Sequence, residues 1–68
     1  MVAVAPEAKL EMLKLLLSHG VEVVTYYRRR RVTAAERSGS YVFIRYEDGG
    51  VDKIHMQNFA RRRFVAVL

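Results

Sequence analysis

The sequence predicts a mainly β domain with one N-terminal helix and five short strands bent into a small barrel. Three observations carry that prediction. Tyr41 to Met56 reads as two β-prone runs around Glu-Asp-Gly-Gly, a strong short-range hairpin signal. Pro6 to His19 carries helix spacing and end signals. The rest falls into brief β-prone stretches, Val21 to Tyr27 and Phe64 to Leu68 among them, separated by polar or arginine-rich breaks.

In the helix, Pro6 suits the first turn, Glu7 lies where the dipole favours negative charge, and Gly20 follows as a natural stop. His19 sits favourably near the C-terminal end. Leu10, Met12, Leu13, Leu16 and Leu17 fall on one side, with Glu7, Glu11, Lys14 and Ser18 opposite. Leu15 lies outside that arc, either as a lone exposed leucine or as part of a partner surface.

The next strand begins at Val21, and bulky side chains on both of its faces imply cover on both sides or a strongly bent sheet. Arg28 to Arg31 breaks the pattern and reads as a strand end, turn or rim. Thr33 to Ala35 leads to a polar Glu36-to-Ser40 loop in which Gly39 marks the bend. For the hairpin, a three-residue loop Asp48-Gly49-Gly50 sets Ile54 opposite Ile44 and Met56 opposite Val42, with Arg45 near Lys53. It is preferred to an Asp48-Gly49 loop because burying one Ile or Val side chain contributes about 1.5–3 kcal/mol, whereas an exposed ion pair contributes roughly 0–1 kcal/mol. Gln57 to Ala60 suggests a single tight turn. Phe64 to Leu68 is an uncharged β-prone run that needs a partner within the subunit or across a subunit boundary.

Sixty-eight residues make one domain, residues 1–68, with the helix at about 6–19 and the barrel over 21–68. Chains of this size bury little and are commonly completed by disulfides, metal or association. There is no cysteine, and two separated histidines make no metal site, so no cofactor is expected and homo-oligomerisation is the staple left. Met1 to Ala5 lacks the features of a secretion signal, no apolar run spans a membrane, and the cytoplasm is the expected location.

The element order, one helix and then about five bent strands, resembles small barrels of the SH3 and Sm type. Val21-Glu22-Val23 directly after a leucine-bearing helix, Val42-Phe43-Ile44 before a tight turn, a strand ending near His55 and a final apolar strand resemble the Sm-like, Hfq-like RNA-binding family. That resemblance implies a homomeric ring joined through the last strand, and an RNA ligand. The family's Tyr/Phe-Lys-His-Ala segment corresponds here to Ile54 to Phe59, without the Lys-His pair. Tudor-type barrels share the layout around Tyr46 to Gly49.

The net charge is +5, and seven of nine arginines lie in Arg28 to Arg31 and Arg61 to Arg63. Guanidinium groups grip phosphate in a planar fork, and in a small barrel both runs can share one rim. The expected nucleic-acid contacts are therefore Arg28, Arg29, Arg30, Arg31, Arg61, Arg62 and Arg63, with Lys53 and His55 as a smaller polar pair. Tyr26 and Tyr41 are the stacking candidates, with Tyr27 and Phe43 nearby and Gln57 and Asn58 able to meet a base edge. Leu15, Phe64, Val65 and Val67 are the expected oligomer interface. Glu47, Asp48 and Asp52 gather at the hairpin tip as a solvated turn. No catalytic spacing links the serines to a histidine, and no phosphate-binding glycine loop is present, so a non-enzymatic binder of RNA or single-stranded DNA is expected. The competing class is a basic protein-binding regulator, such as a phage or accessory factor, docking through the leucine-rich helix and final strand.

Overall fold

The computed structural model describes residues 5–68, so the apolar start before Ala5 lies outside the described residues. Helix α1 runs Pro6–Ser18, with Pro6 in its first turn. It ends as the sequence predicts. Gly20 takes φ +77°, the Gly20 N–H donates to the Leu17 carbonyl at 3.1 Å, and the Val21 N–H donates to the Leu16 carbonyl at 3.0 Å. Both belong to the Schellman pattern that satisfies the last carbonyls of a helix. Leu10 and Leu13 are buried, and Leu16 and Leu17 pack at the core's edge. Met12 departs from its expected side and is 64% exposed, beside Leu15 at 59%. Met12 sits on the far flank of the arc, beyond Leu16, where the sheet does not reach.

The strands are β1 (Glu22–Thr25), β2 (Val32–Ser38), β3 (Tyr41–Tyr46), β4 (Val51–His55) and β5 (Phe64–Val67), with a second helix, α2 (Met56–Arg61), between β4 and β5. The molecule is mainly β with an N-terminal helix, but its strands do not close into one barrel. They form a three-stranded antiparallel sheet, β2-β3-β4, and a two-stranded antiparallel sheet, β1-β5. The isolated bridge Val24↔Arg31 links β1 to the start of β2. The turn at Tyr26 to Arg29 ends the β1 pairing before a full ladder can form. Both faces of β1 are covered, since Val23, Val24 and Thr25 are all buried.

Two expected loops are shorter or more regular than the residues suggest. The Glu36-to-Ser40 segment continues β2 through Ser38, and Ser38 pairs Tyr41 across a two-residue turn in which Gly39 takes φ +61°. Gln57 to Ala60 is not an isolated turn but lies inside α2, whose first turn is capped when the Gln57 N–H donates to His55 Nδ1 at 3.2 Å.

The β3–β4 register also differs from the expected one. Val42 pairs Ile54, Ile44 pairs Asp52, Phe43 pairs Lys53 and Arg45 pairs Val51, so the Arg45–Lys53 juxtaposition does not occur. The loop is Glu47-Asp48-Gly49. The Tyr46 N–H donates to the Gly50 carbonyl at 2.9 Å, the Gly49 N–H donates to the Tyr46 carbonyl at 3.0 Å, and Gly49 takes the left-handed position at φ +89°. The Asp48 carboxylate fixes this choice by accepting the Gly50 N–H at 2.8 Å. The pairing moves by two residues, so Val42, Ile44 and Tyr46 keep the core face. Asp52 stays on that face, but its cross-strand neighbour becomes Ile44 in place of Tyr46.

Helix α1 packs on β2, α2 and β1, and one core cluster joins Leu10, Leu13, Val23, Val42, Ile44 and Phe59 with their neighbours. Phe59 is fully buried on α2, with its ring 5.9 Å from that of Phe64. Phe59→Ala is expected to cost about 3–5 kcal/mol, most of the stability of a domain of this size. Leu15→Ala is expected to stay within about 0.5 kcal/mol. Urea midpoints for the two variants check both values.

Candidate nucleic-acid interface

Three devices bring the two arginine runs together. The first is the antiparallel β1–β5 pair, in which Thr25 faces Phe64. A backbone bond beyond the strands extends it, the Tyr26 N–H donating to the Arg63 carbonyl at 3.0 Å. The second is the buried Thr25 hydroxyl, which donates to the Tyr27 carbonyl and accepts the Arg30 N–H at 3.0 Å. This staples the turn carrying Arg28 and Arg29, both in the left-handed region at φ +66° and +47°. Such positions cost of order 1 kcal/mol or more for residues bearing a Cβ, and the staple holds them.

The third device is Lys9, on the apolar side of α1. Its ammonium donates to the carbonyls of Phe59 at 2.8 Å and Ala60 at 3.2 Å, and to that of Arg62. It also lies 5.2 Å from the Phe59 ring centroid and 5.6 Å from that of Phe64. It thereby caps α2 and anchors the Arg61-to-Arg63 segment, and burial pulls its pKa below the usual lysine value. A signal existed: Lys9 lies four and seven residues before Leu13 and Leu16, on the apolar side of α1.

The result is a concavity of about 570 Å3 lined by Arg28, Arg30, Arg61, Arg62 and Arg63, together with Thr25, Tyr27, Tyr46 and Asp52. Its charges are zoned. Arg30 lies flat on the Tyr46 ring, with its guanidinium carbon 3.8 Å from the centroid, and reaches Asp48 at 3.3 Å and Asp52 at 3.8 Å. Arg62 reaches the same Asp52 oxygen at 3.9 Å, and the Tyr46 hydroxyl donates to that oxygen at 2.6 Å. Among the described residues, Arg28, Arg61 and Arg63 pair with no carboxylate, and all three are exposed. Within the concavity Arg30 and Arg62, which we call its floor, therefore face a carboxylate, while Arg28, Arg61 and Arg63, its rim, face none. The Asp48 carboxyl is held below its usual pKa by the Gly50 N–H and the Arg30 guanidinium.

The other candidates separate from this site. Arg29 is exposed in the same turn but does not line the concavity. Arg31 turns away to Glu22 at 3.6 Å and Glu47 at 3.3 Å. Glu47 and Asp48 lie in the exposed hairpin turn, as expected, and with Asp52 they are also the arginines' partners; no group of acidic or histidine ligands suited to a metal occurs among the described residues. Tyr26 is half exposed, with the Arg63 guanidinium 5.5 Å from its ring. Tyr27, edge-on to Tyr26 at 5.2 Å and 76% exposed, is the exposed aromatic that lines the concavity beside the buried Tyr46.

Lys53, His55 and Tyr41 form a separate group at the far end of β3 and β4. Lys53 lies 4.4 Å from the Tyr41 centroid and the His55 ring 5.4 Å edge-on. Gln57 and Asn58 are exposed on α2. Of the expected interface residues, Leu15 and Val67 are exposed, while Phe64 and Val65 are half-buried.

No family model, curated protein or solved structure matches this chain.

The Tyr46 hydroxyl provides a test of this network. Burial and the hydrogen bond to Asp52 push its pKa up to about 12. An unfolded tyrosine ionises near pH 10, so Tyr46 contributes stability that is full below pH 10 and is lost as pH rises towards 12. Wild-type stability minus that of Tyr46→Phe should therefore fall across this window and be flat between pH 7 and 9. Denaturant titrations at stepped pH read the difference directly.

Proposed function

We propose that this chain is a non-catalytic binder of RNA or single-stranded DNA, acting as a homo-oligomer, with the arginine concavity as its contact. One observation carries the reading: arginines from two distant runs surround one concavity, and those on its rim have no acidic partner. Free guanidinium groups around an opening meet backbone phosphates and release counterions. Tyr26 and Tyr27 stand beside them as stacking faces. Lys53, His55 and Tyr41 offer a second, smaller contact for a strand that continues past the concavity.

The Sm-like reading draws support from strand order. β5 lies beside β1, β1 touches β2 through one bridge, and β3 and β4 follow, with a short helix between β4 and β5. Among the described residues, the outer edges of β4 and β5 have no strand partner. In an Sm-like ring those edges join neighbouring copies, covering Phe64, Val65 and Val67, while Leu15 extends the apolar surface. The exposed Met12 and Leu15 favour a second reading, a basic regulator docking on a protein through α1 and β5. Retention of a purified protein partner by an Arg28→Ser/Arg61→Ser/Arg63→Ser variant distinguishes that reading from nucleic-acid bridging.

Fluorescence anisotropy with a mixed-sequence single strand should show affinity falling steeply with salt. The triple serine variant should lose about two from the log–log salt slope, since single strands give roughly 0.7 per neutralised phosphate. An unchanged slope in the folded variant removes the concavity as the contact. Light scattering should give a molar mass several times that of the 7.9 kDa chain, and a monomer removes the ring.

A further inference from the structure

Asp52 is the one carboxylate among the residues lining the concavity. One of its oxygens, Oδ2, takes the Tyr46 hydroxyl at 2.6 Å and faces Arg30 and Arg62 at 3.8 and 3.9 Å. The other, Oδ1, receives no hydrogen bond from the described residues, and the side chain is 36% exposed. An anion gains little beside it, because Arg30 and Arg62 already face this carboxylate and a second negative charge would face the first. Phosphates are better placed at the rim, on Arg28, Arg61 and Arg63.

The floor suits a different group. It offers the Asp52 acceptor, the donors of Arg30 and Arg62, and the side of Tyr27, in a volume of about 570 Å3. That lies within the range of small-ligand sites, roughly 300–1,000 Å3. A nucleobase that places an amino group against a carboxylate and a ring acceptor against a guanidinium fits this alternation. Single-stranded recognition generally works through such splayed, stacked bases.

We infer that the concavity seats one unpaired base with its exocyclic amine on Asp52 while the flanking phosphates lie on the arginine rim, so that Asp52 selects amino-bearing bases over uracil. The inference rests on the nucleic-acid reading and adds base selectivity to it. Uracil has no exocyclic amine, and its ring N–H lies between two carbonyls, so approaching Asp52 brings at least one carbonyl towards the carboxylate.

The test uses the whole chain and oligouridine ten-mers with one central position changed to adenine, cytosine, guanine or an abasic site, read by anisotropy at fixed salt. Wild type should bind the amino-bearing strands about tenfold more tightly than oligouridine, the size expected for a hydrogen bond to a charged group. Asp52→Asn keeps an acceptor for Tyr46 and removes the charge. It should bind every strand more tightly and lose most of the tenfold ratio. Tyr46→Phe, which leaves the carboxylate in place, should keep it.

Equal wild-type affinity for all five strands overturns base selection while leaving phosphate binding intact. A ratio that survives in Asp52→Asn overturns the role of Asp52. Absence of binding to any strand overturns the inference together with the reading beneath it. The wild-type comparison decides the first and last outcomes even if Asp52→Asn does not fold.

Discussion

The antiparallel contact between β1 and β5, carried past the strands by the Tyr26-to-Arg63 backbone bond, sets the geometry of this molecule. It closes the chain by placing the last strand beside the first. It also fixes where α2 ends, and so where Arg61 to Arg63 emerge. Lys9 reinforces the contact from α1 by meeting carbonyls at the end of α2 and beyond. Helix, strand pair and arginine segment therefore form one mechanical unit.

Around that unit the arginines differ in whether they face a carboxylate. Arg30 is stacked on Tyr46 and faces Asp48 and Asp52, so its charge is matched where water is partly excluded. A buried or half-buried guanidinium without such partners would carry a heavy desolvation cost. Arg28, Arg61 and Arg63 are solvated and do not require a carboxylate. The left-handed backbone at Arg28 and Arg29 is the local strain that this arrangement retains. Thr25 makes it tolerable by bonding on both sides of the turn.

The core itself is economical. Phe59, Ile44, Val23 and Val42 are fully buried, yet apolar surface remains outside at Met12, Leu15 and Val67. A small domain has too little interior to hide every apolar side chain. Among the described residues, the outer edges of β4 and β5 also have no strand partner. Both features are consistent with association, and neither interferes with the arginine concavity.

Much of this was legible in the residues. Spacing and end signals located α1, because a Gly20 stop and a leucine arc report on local geometry. β-Branched runs marked the strands, and the clustering of arginines pointed to the charged surface. Several things were not legible. The hairpin register turned on the Asp48 bond to the Gly50 N–H, whereas summed apolar burial favoured a pairing two residues away. Lys9 lay within an apolar arc, but its partners are carbonyls some fifty residues later. The split into two sheets followed from a turn that interrupts β1 and β2. The sequence by itself determined the helix, the strands and the charge, since these depend on neighbours along the chain. Only the tertiary structure decided which arginines are spent on acids and which stay free, because that depends on groups brought together across the fold.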